Sequence, residues 1–361
     1  MTLSPTSAEI RAAPGRRRYL AHRADWRRVG LVAGAYLGFL VVFGILVAAR
    51  GIDPLSVYAT MVRSTLLSEH ALAQTLLRAV PIALAALAVA VPARAGLINV
   101  GGEGQLIVGA VAATGAGLLI GGRLPGPVSW LLLALAGAGA GATWGALAGA
   151  LRTGFGANEA VTTLLLNFVA NDIMLYLIYQ PWKDPNGSGQ PQSRPLADGA
   201  ALPKLLGSQL NLGVIVAALV ALGVWLLLTR SGWGFALRVV GGNVEAARRA
   251  GLPVNWLLLG SMLVGGALAG LGGALNFAGL EGQLRPGITV TFGYIAFLAS
   301  FLGRHQPGRV VAAALLFSAI ALSGNGLQLA DGLDGNIVDI LLGLIVLVPL
   351  ILTRARPGGG P

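Results

Sequence analysis

Apolar runs close to membrane-crossing length alternate with short polar breaks from residue 31 to residue 353. The runs cover residues 31–49, 71–92, 103–121, 128–151, 161–180, 212–229, 254–278, 290–303, 309–327 and 336–353. A helix of about 20 predominantly apolar residues spans the hydrocarbon core of a bilayer, so the pattern predicts ten helical crossings. Runs 103–121 and 290–303 are short for a full crossing. If both are re-entrant, eight spans remain. In either case the predicted fold class is all-α, a polytopic membrane helix bundle.

Composition agrees with the pattern. Of 361 residues, 55% are hydrophobic and 11% charged, with a mean hydropathy of +0.75. A soluble domain carries about 25% charged residues, so an ordinary soluble fold is excluded. Ten spans use roughly 190 residues, which leaves short loops and no second soluble domain. The net charge of +11 reads as membrane topology and not as a nucleic-acid surface, because the basic residues fall between apolar runs. Seven arginines lie in the first thirty residues, and Arg94, Arg152, Arg230, Arg238, Arg248, Arg249, Arg304, Arg309, Arg354 and Arg356 follow. With both termini cytoplasmic, 17 of the 25 basic residues fall inside, as the positive-inside rule requires. The first run is of spanning length, longer than a signal-peptide core, and is read as an uncleaved helix. The expected organisation is a basic cytoplasmic tail over 1–30, one transmembrane domain over 31–353 and a cytoplasmic tail over 354–361. Segment 181–212, rich in Pro, Gly, Ser and Gln, falls on the outer face, either as a solvated loop or as a dock for an external partner.

Several chemistries are excluded. There is no cysteine, hence no disulfide, thiolate metal site or thiol nucleophile. His22, His70 and His305 lie far apart. Neither lysine (Lys183, Lys204) follows a glycine, so a Walker A loop is missing, and no GxSxG or GxGxxG motif occurs. The membrane acids Glu103, Glu159, Asp172 and Asp339 have no histidine nearby in sequence. The chain reads as neither an enzyme nor a cofactor protein. Gly137, Gly141, Gly145 and Gly149 recur every four residues, and Gly266 and Gly270 repeat the spacing. Such faces let helix backbones approach closely and predict packing only.

Three polar constellations interrupt the apolar sequence. The first runs from Arg94 to Gln105 and holds four glycines with Asn99, Glu103 and Gln105. Irregular backbone at membrane depth is tolerated where it is buried in protein or lines a cavity, so this segment reads as a broken helix or, more simply, a turn between spans. The second opens with Asn158 as an N-cap and Glu159 in the first turn. Glu159, Thr163, Asn167 and Asn171 follow at spacing four, a polar row on one helix face that climbs roughly 18 Å. Such a row either glues helices together or lines a water-accessible path. The third lies on the expected cytoplasmic side, residues 231–252, with Asn243 capping a short helix and Glu245 in its first turn. Such a helix either lies in the membrane interface or docks into a protein groove, which its small residues Gly241, Gly242, Ala246 and Ala247 suit.

Together these segments resemble the permease subunits of bacterial ABC importers for sugars and nucleosides, in the superfamily of branched-chain amino-acid permeases. The likeness spans about residues 71–350. Gly96–Gln105 is similar to the family's glycine-rich Asn–Glu–Gln segment, with Ile98 in place of phenylalanine. Gly156–Glu159 looks most like the nucleoside-importing branch. Residues 241–248 are similar to the coupling loop, with Val244 where proline often follows the asparagine. The resemblance implies a solute path through this chain, lined by Asn99, Glu103, Gln105, Glu159, Thr163, Asn167 and Asn171. It implies that Gly241, Gly242, Asn243, Glu245, Ala246 and Ala247 meet an ATP-binding cassette subunit, which would bind the ATP. The implied partners also include a second permease subunit, identical or homologous, an external substrate-binding lipoprotein and membrane lipids, in a bacterial inner membrane. The competing expectation is an ion-coupled secondary transporter using Glu103, Glu159 and Asp172, in which residues 241–248 would meet no ATPase.

Overall fold

A computed structural model describes residue 34 and residues 37–187, 189–205, 207–289, 291–331, 337–338 and 340–345. The two expected tails (1–30 and 354–361), the start of the first run, much of run 336–353 and Asp339 lie outside the described residues. The chain divides into two units, residues 1–55 with 343–361, and residues 56–342. In the first unit, α1 (Leu37–Ala48) is apolar and short. A short helix not anticipated from the apolar pattern, α2 (Pro54–Thr65), has its start capped by Asp53 Oδ1 accepting from Leu55 N at 3.0 Å, and from Ser56 on it belongs to the second unit.

The second unit continues through α3 (Glu69–Ala93), α4 (Gly102–Ile120), α5 (Gly126–Phe155), α6 (Glu159–Tyr179), α7 (Leu212–Arg230), α8 (Gly232–Gly242), α9 (Val244–Arg249), α10 (Val254–Asn276), α11 (Phe292–Leu302) and α12 (Pro307–Asp331). The described residues form no named strand. Among them, seven helices (α3, α4, α5, α6, α7, α10 and α12) are long and apolar enough to cross a membrane. Of the two short runs, 103–121 becomes the 19-residue α4, which is long enough, whereas 290–303 becomes the 11-residue α11.

Helix α3 is the buried axis of this unit, with every residue from Ala79 to Pro92 buried. A helix apolar on all sides is stable only when neighbours surround it, and α10, α11 and α12 pack along it. The glycine spacing finds its partners here. A Cβ on Gly141 of α5 would overlap the carbonyl of Gly266, and one on Gly145 would overlap that of Met262, both on α10. A Cβ on Gly109 of α4 would overlap Gly270. Three backbones therefore meet without side chains between them, which maximises dispersion contacts where lipid offers no hydrophobic drive.

The described residues of segment 181–211 are held by backbone pairing. Beyond α10 come one π-helical turn (Phe277–Glu281) and the residues that follow it, and the segment bonds to their carbonyls: Leu202 N to Ala278 O at 2.9 Å, Leu196 N to Gly282 O at 2.8 Å, and Ser193 N to Leu284 O at 2.8 Å. Trp130 Nε1 of α5 donates to Ala201 O at 2.9 Å. The segment is a fitted cover over one end of α5 and α10, and not a free loop.

Candidate functional site

The polar row on α6 meets the loop that joins α3 to α4. Asn158 caps α6 by accepting from Ala160 N at 3.0 Å, and Glu159 beside it accepts from Ile98 N at 3.3 Å. The other Glu159 oxygen faces Arg152 Nε at 3.3 Å, so the C-terminal end of α5 is tied to the start of α6. One turn on, Thr163 Oγ1 accepts from Val100 N at 3.1 Å. Another turn on, Asn167 Oδ1 accepts from Gly104 N at 2.8 Å, and its Nδ2 donates to Val100 O at 3.1 Å. Three side chains four residues apart thus hold successive backbone groups of a loop that has no helix partner for them. Gly104 is glycine because a Cβ there would stand 2.9 Å from the Asn167 Cα.

Inside the loop, Asn99 folds back. Its Oδ1 accepts from Gly101 N at 3.0 Å and its Nδ2 donates to Ala88 O of α3 at 3.2 Å. Asn99 and Gln105 also pair amide to amide, at 3.1 and 3.2 Å. Glu103 sits in the first turn of α4, where the helix dipole favours a negative charge. Its carboxylate accepts from Thr289 Oγ1 and, at 2.7 Å, from Gly293 N at the start of α11. Six of the seven residues expected along a solute path (Asn99, Glu103, Gln105, Glu159, Thr163 and Asn167) are therefore buried and bonded within one network. Asn171 is different: it is half-buried and outside the network. Thr289 and Gly293 were not singled out from sequence. The only local signal is the small and hydroxyl-bearing stretch Gly287–Gly293 at the head of an apolar run.

The third constellation forms α8 and α9. Ser231 caps α8 by accepting from Gly234 N at 3.0 Å, and Asn243 caps α9 by accepting from Ala246 N at 2.9 Å, so the cap forms with Val244 in the place of the proline. Gly241, Gly242, Asn243, Glu245 and Ala246 are exposed, with Glu245 paired to Arg249 at 3.2 Å. Ala247 faces inward and is fully buried. A Cβ on Gly241 would overlap the Arg94 carbonyl, so this segment rests on the start of the loop that α6 holds. Around that contact, burial and then the Arg238 charge pull the Arg94 guanidinium below its usual range. Burial and then Arg94 likewise hold the His305 imidazole below its ordinary value.

The network joins residues 94–105, the start of α6 and residues 241–249, the same segments whose sequences resemble one another's counterparts in permeases. A profile of the family described as "Branched-chain amino acid transport system / permease component" matches residues 71–350. The chain belongs to this family. As a member it is a multi-pass membrane permease component of transport systems. It is 35% identical to the glucose ABC transporter permease protein TsgB13 of Haloferax volcanii, covering 89% of this chain and 87% of that one. It is 31% identical to the guanosine ABC transporter permease protein NupP of Bacillus subtilis, covering 88% and 89%. The nucleoside ABC transporter permease protein NupB of Lactococcus lactis is 28% identical, over 88% of each chain.

Proposed function

We propose that this permease forms the translocation path of an ATP-driven importer for a nucleoside or a simple sugar. In this reading both termini and residues 231–252 lie in the cytoplasm, in the inner membrane of a bacterium, with about ten crossings in all. The 181–211 cover faces outward, towards a substrate-binding lipoprotein, and a second permease chain completes the path. ATP is bound and hydrolysed by a cassette subunit that receives Asn243, Glu245 and Ala246.

The observation that supports it is the backbone contact between Gly241 and Arg94 at the head of the clamped loop. Movement of α8 and α9 by a partner pushes on that loop, and the Glu159, Thr163 and Asn167 bonds carry the push to α6. Asn99, Glu103, Gln105, Glu159, Thr163 and Asn167 thus build the wall of the path, and Asn171 stands open beside it. Of the three carboxylates that the ion-coupled alternative needs, Glu103 and Glu159 already hold internal partners, which leaves it Asp172 alone.

Tagged chain recovered from membranes should bring an ATP-binding cassette subunit and a second permease with it. Vesicles holding that assembly with its binding protein should accumulate guanosine or glucose. An assembly that brings no cassette subunit and accumulates neither solute contradicts the proposal.

A further inference from the structure

Above Asn167 the polar row on α6 changes character. Asp172 lies 13 residues after Glu159 in the sequence, roughly 20 Å along the helix, well inside a crossing segment. It is exposed, and no described residue forms an ion pair with it. One turn to either side stand Phe168, 61% exposed, and Tyr176, 65% exposed. Asn171 beside it carries an amide outside the network. A carboxyl group facing lipid at this depth is costly, and ionisable residues inside membrane segments face cavities or the interior of an assembly. The α6 face that carries Asp172 therefore meets a cavity or the interior of an assembly and not lipid.

We infer that Asp172, with the Asn171 amide, lines the water-filled passage and accepts hydrogen bonds from adjacent hydroxyl groups of a neutral polyol solute, such as the ribose diol of a nucleoside or two neighbouring hydroxyls of a sugar. This rests on the importer reading above and names the groups that would grip its solute. A single carboxylate has two acceptor oxygens that match two adjacent O–H donors. A monovalent cation would need several oxygen ligands, and within one turn along this helix there is no second carboxylate. Phe168 and Tyr176 supply flat apolar surface above and below the carboxyl, suited to the faces of a base or a sugar ring.

The chain has no cysteine, so a single introduced thiol reports its own surroundings. In the assembled importer, Asp172→Cys should react with a charged, membrane-impermeant methanethiosulfonate, and Leu219→Cys on the exposed apolar face of α7 should not. Whichever of guanosine and glucose the wild type accumulates should slow the reaction. Asp172→Asn should lower uptake of that solute about tenfold or more, while uptake of its analogue lacking one of the paired hydroxyls changes far less. No labelling at Asp172→Cys overturns the wet face. Equal loss for solute and deoxy analogue overturns the hydroxyl contact, and uptake that follows a sodium or proton gradient and fails in Asp172→Asn assigns the carboxyl to a cation. Wild type that accumulates neither solute contradicts the importer reading and the hydroxyl contact together, and labelling still decides whether the face is wet.

Discussion

Asn167 on α6 grips Gly104 on α4 backbone to side chain: its Oδ1 takes the Gly104 N–H at 2.8 Å, and the glycine's missing side chain is what lets the helices approach. The same amide holds Val100 O at 3.1 Å, so one side chain satisfies a donor and an acceptor on either side of the break before α4. Replacing Asn167 with leucine leaves the buried Gly104 N–H unpaired, at about 1–3 kcal/mol, and takes a donor from the part-buried Val100 carbonyl. Asn167→Leu should insert and assemble, lose thermal stability and transport poorly. Unchanged stability and uptake would show that the clamp carries neither.

The glycine contacts give a paired test of packing. Gly141→Ala places a methyl against Gly266 O, whereas Gly139→Ala on the same helix meets nothing within 4 Å. Overpacking costs about 1–3 kcal/mol, so Gly141→Ala should lower the unfolding temperature in detergent and Gly139→Ala should leave it or raise it slightly. Equal effects would remove the α5–α10 contact from the account.

How far this was legible in the sequence depends on the range of each interaction. The row Glu159, Thr163, Asn167 announces itself because i, i+4 spacing puts side chains on one helix face, and Asn158 and Asn243 are readable as caps because capping is local. That the row meets the 98–105 backbone is not readable, since those bonds join residues more than sixty positions apart. The Thr289–Glu103 bond crosses 186 positions. The sequence leaves segment 181–212 open between a solvated loop and a dock, because backbone bonds to 278–284 leave no side-chain pattern. Ala247 looked equivalent to Ala246, but a six-residue helix has an inner and an outer face, and only contact with the rest of the unit tells which is which.

Ala246 is exposed on α9 one residue from the buried Ala247. Ala246→Trp should therefore leave the helix seated and obstruct whatever docks on it. The expected outcome is a complex that still hydrolyses ATP but no longer links hydrolysis to uptake. Normal uptake by an assembled Ala246→Trp complex would take the outer face of α9 out of the contact.

His305 stacks edge-on against Phe301 at 4.7 Å, bonds Ser300 Oγ at 3.0 Å and is held below its ordinary pKa of 6.5 by burial and by Arg94. The unfolded chain thus binds a proton there more readily than the folded one. Its stabilising share is full above about pH 6.5 and is lost as pH falls through the lowered folded value. Wild type should lose more unfolding temperature than His305→Gln between about pH 7.5 and 5.5. Parallel losses would mean that His305 binds a proton equally readily in both states.

If partner-bound ATP drives solute through this chain by way of the loop held between Gly241 and Asn167, uptake must follow ATP and not an ion gradient. Vesicles carrying the assembled complex and its binding protein are loaded with ATP, and sodium and proton gradients are collapsed with ionophores. Full accumulation is expected under these conditions, and none when ATP is replaced by a non-hydrolysable analogue. Accumulation that survives without ATP and disappears with the gradients would contradict an ATP-driven path.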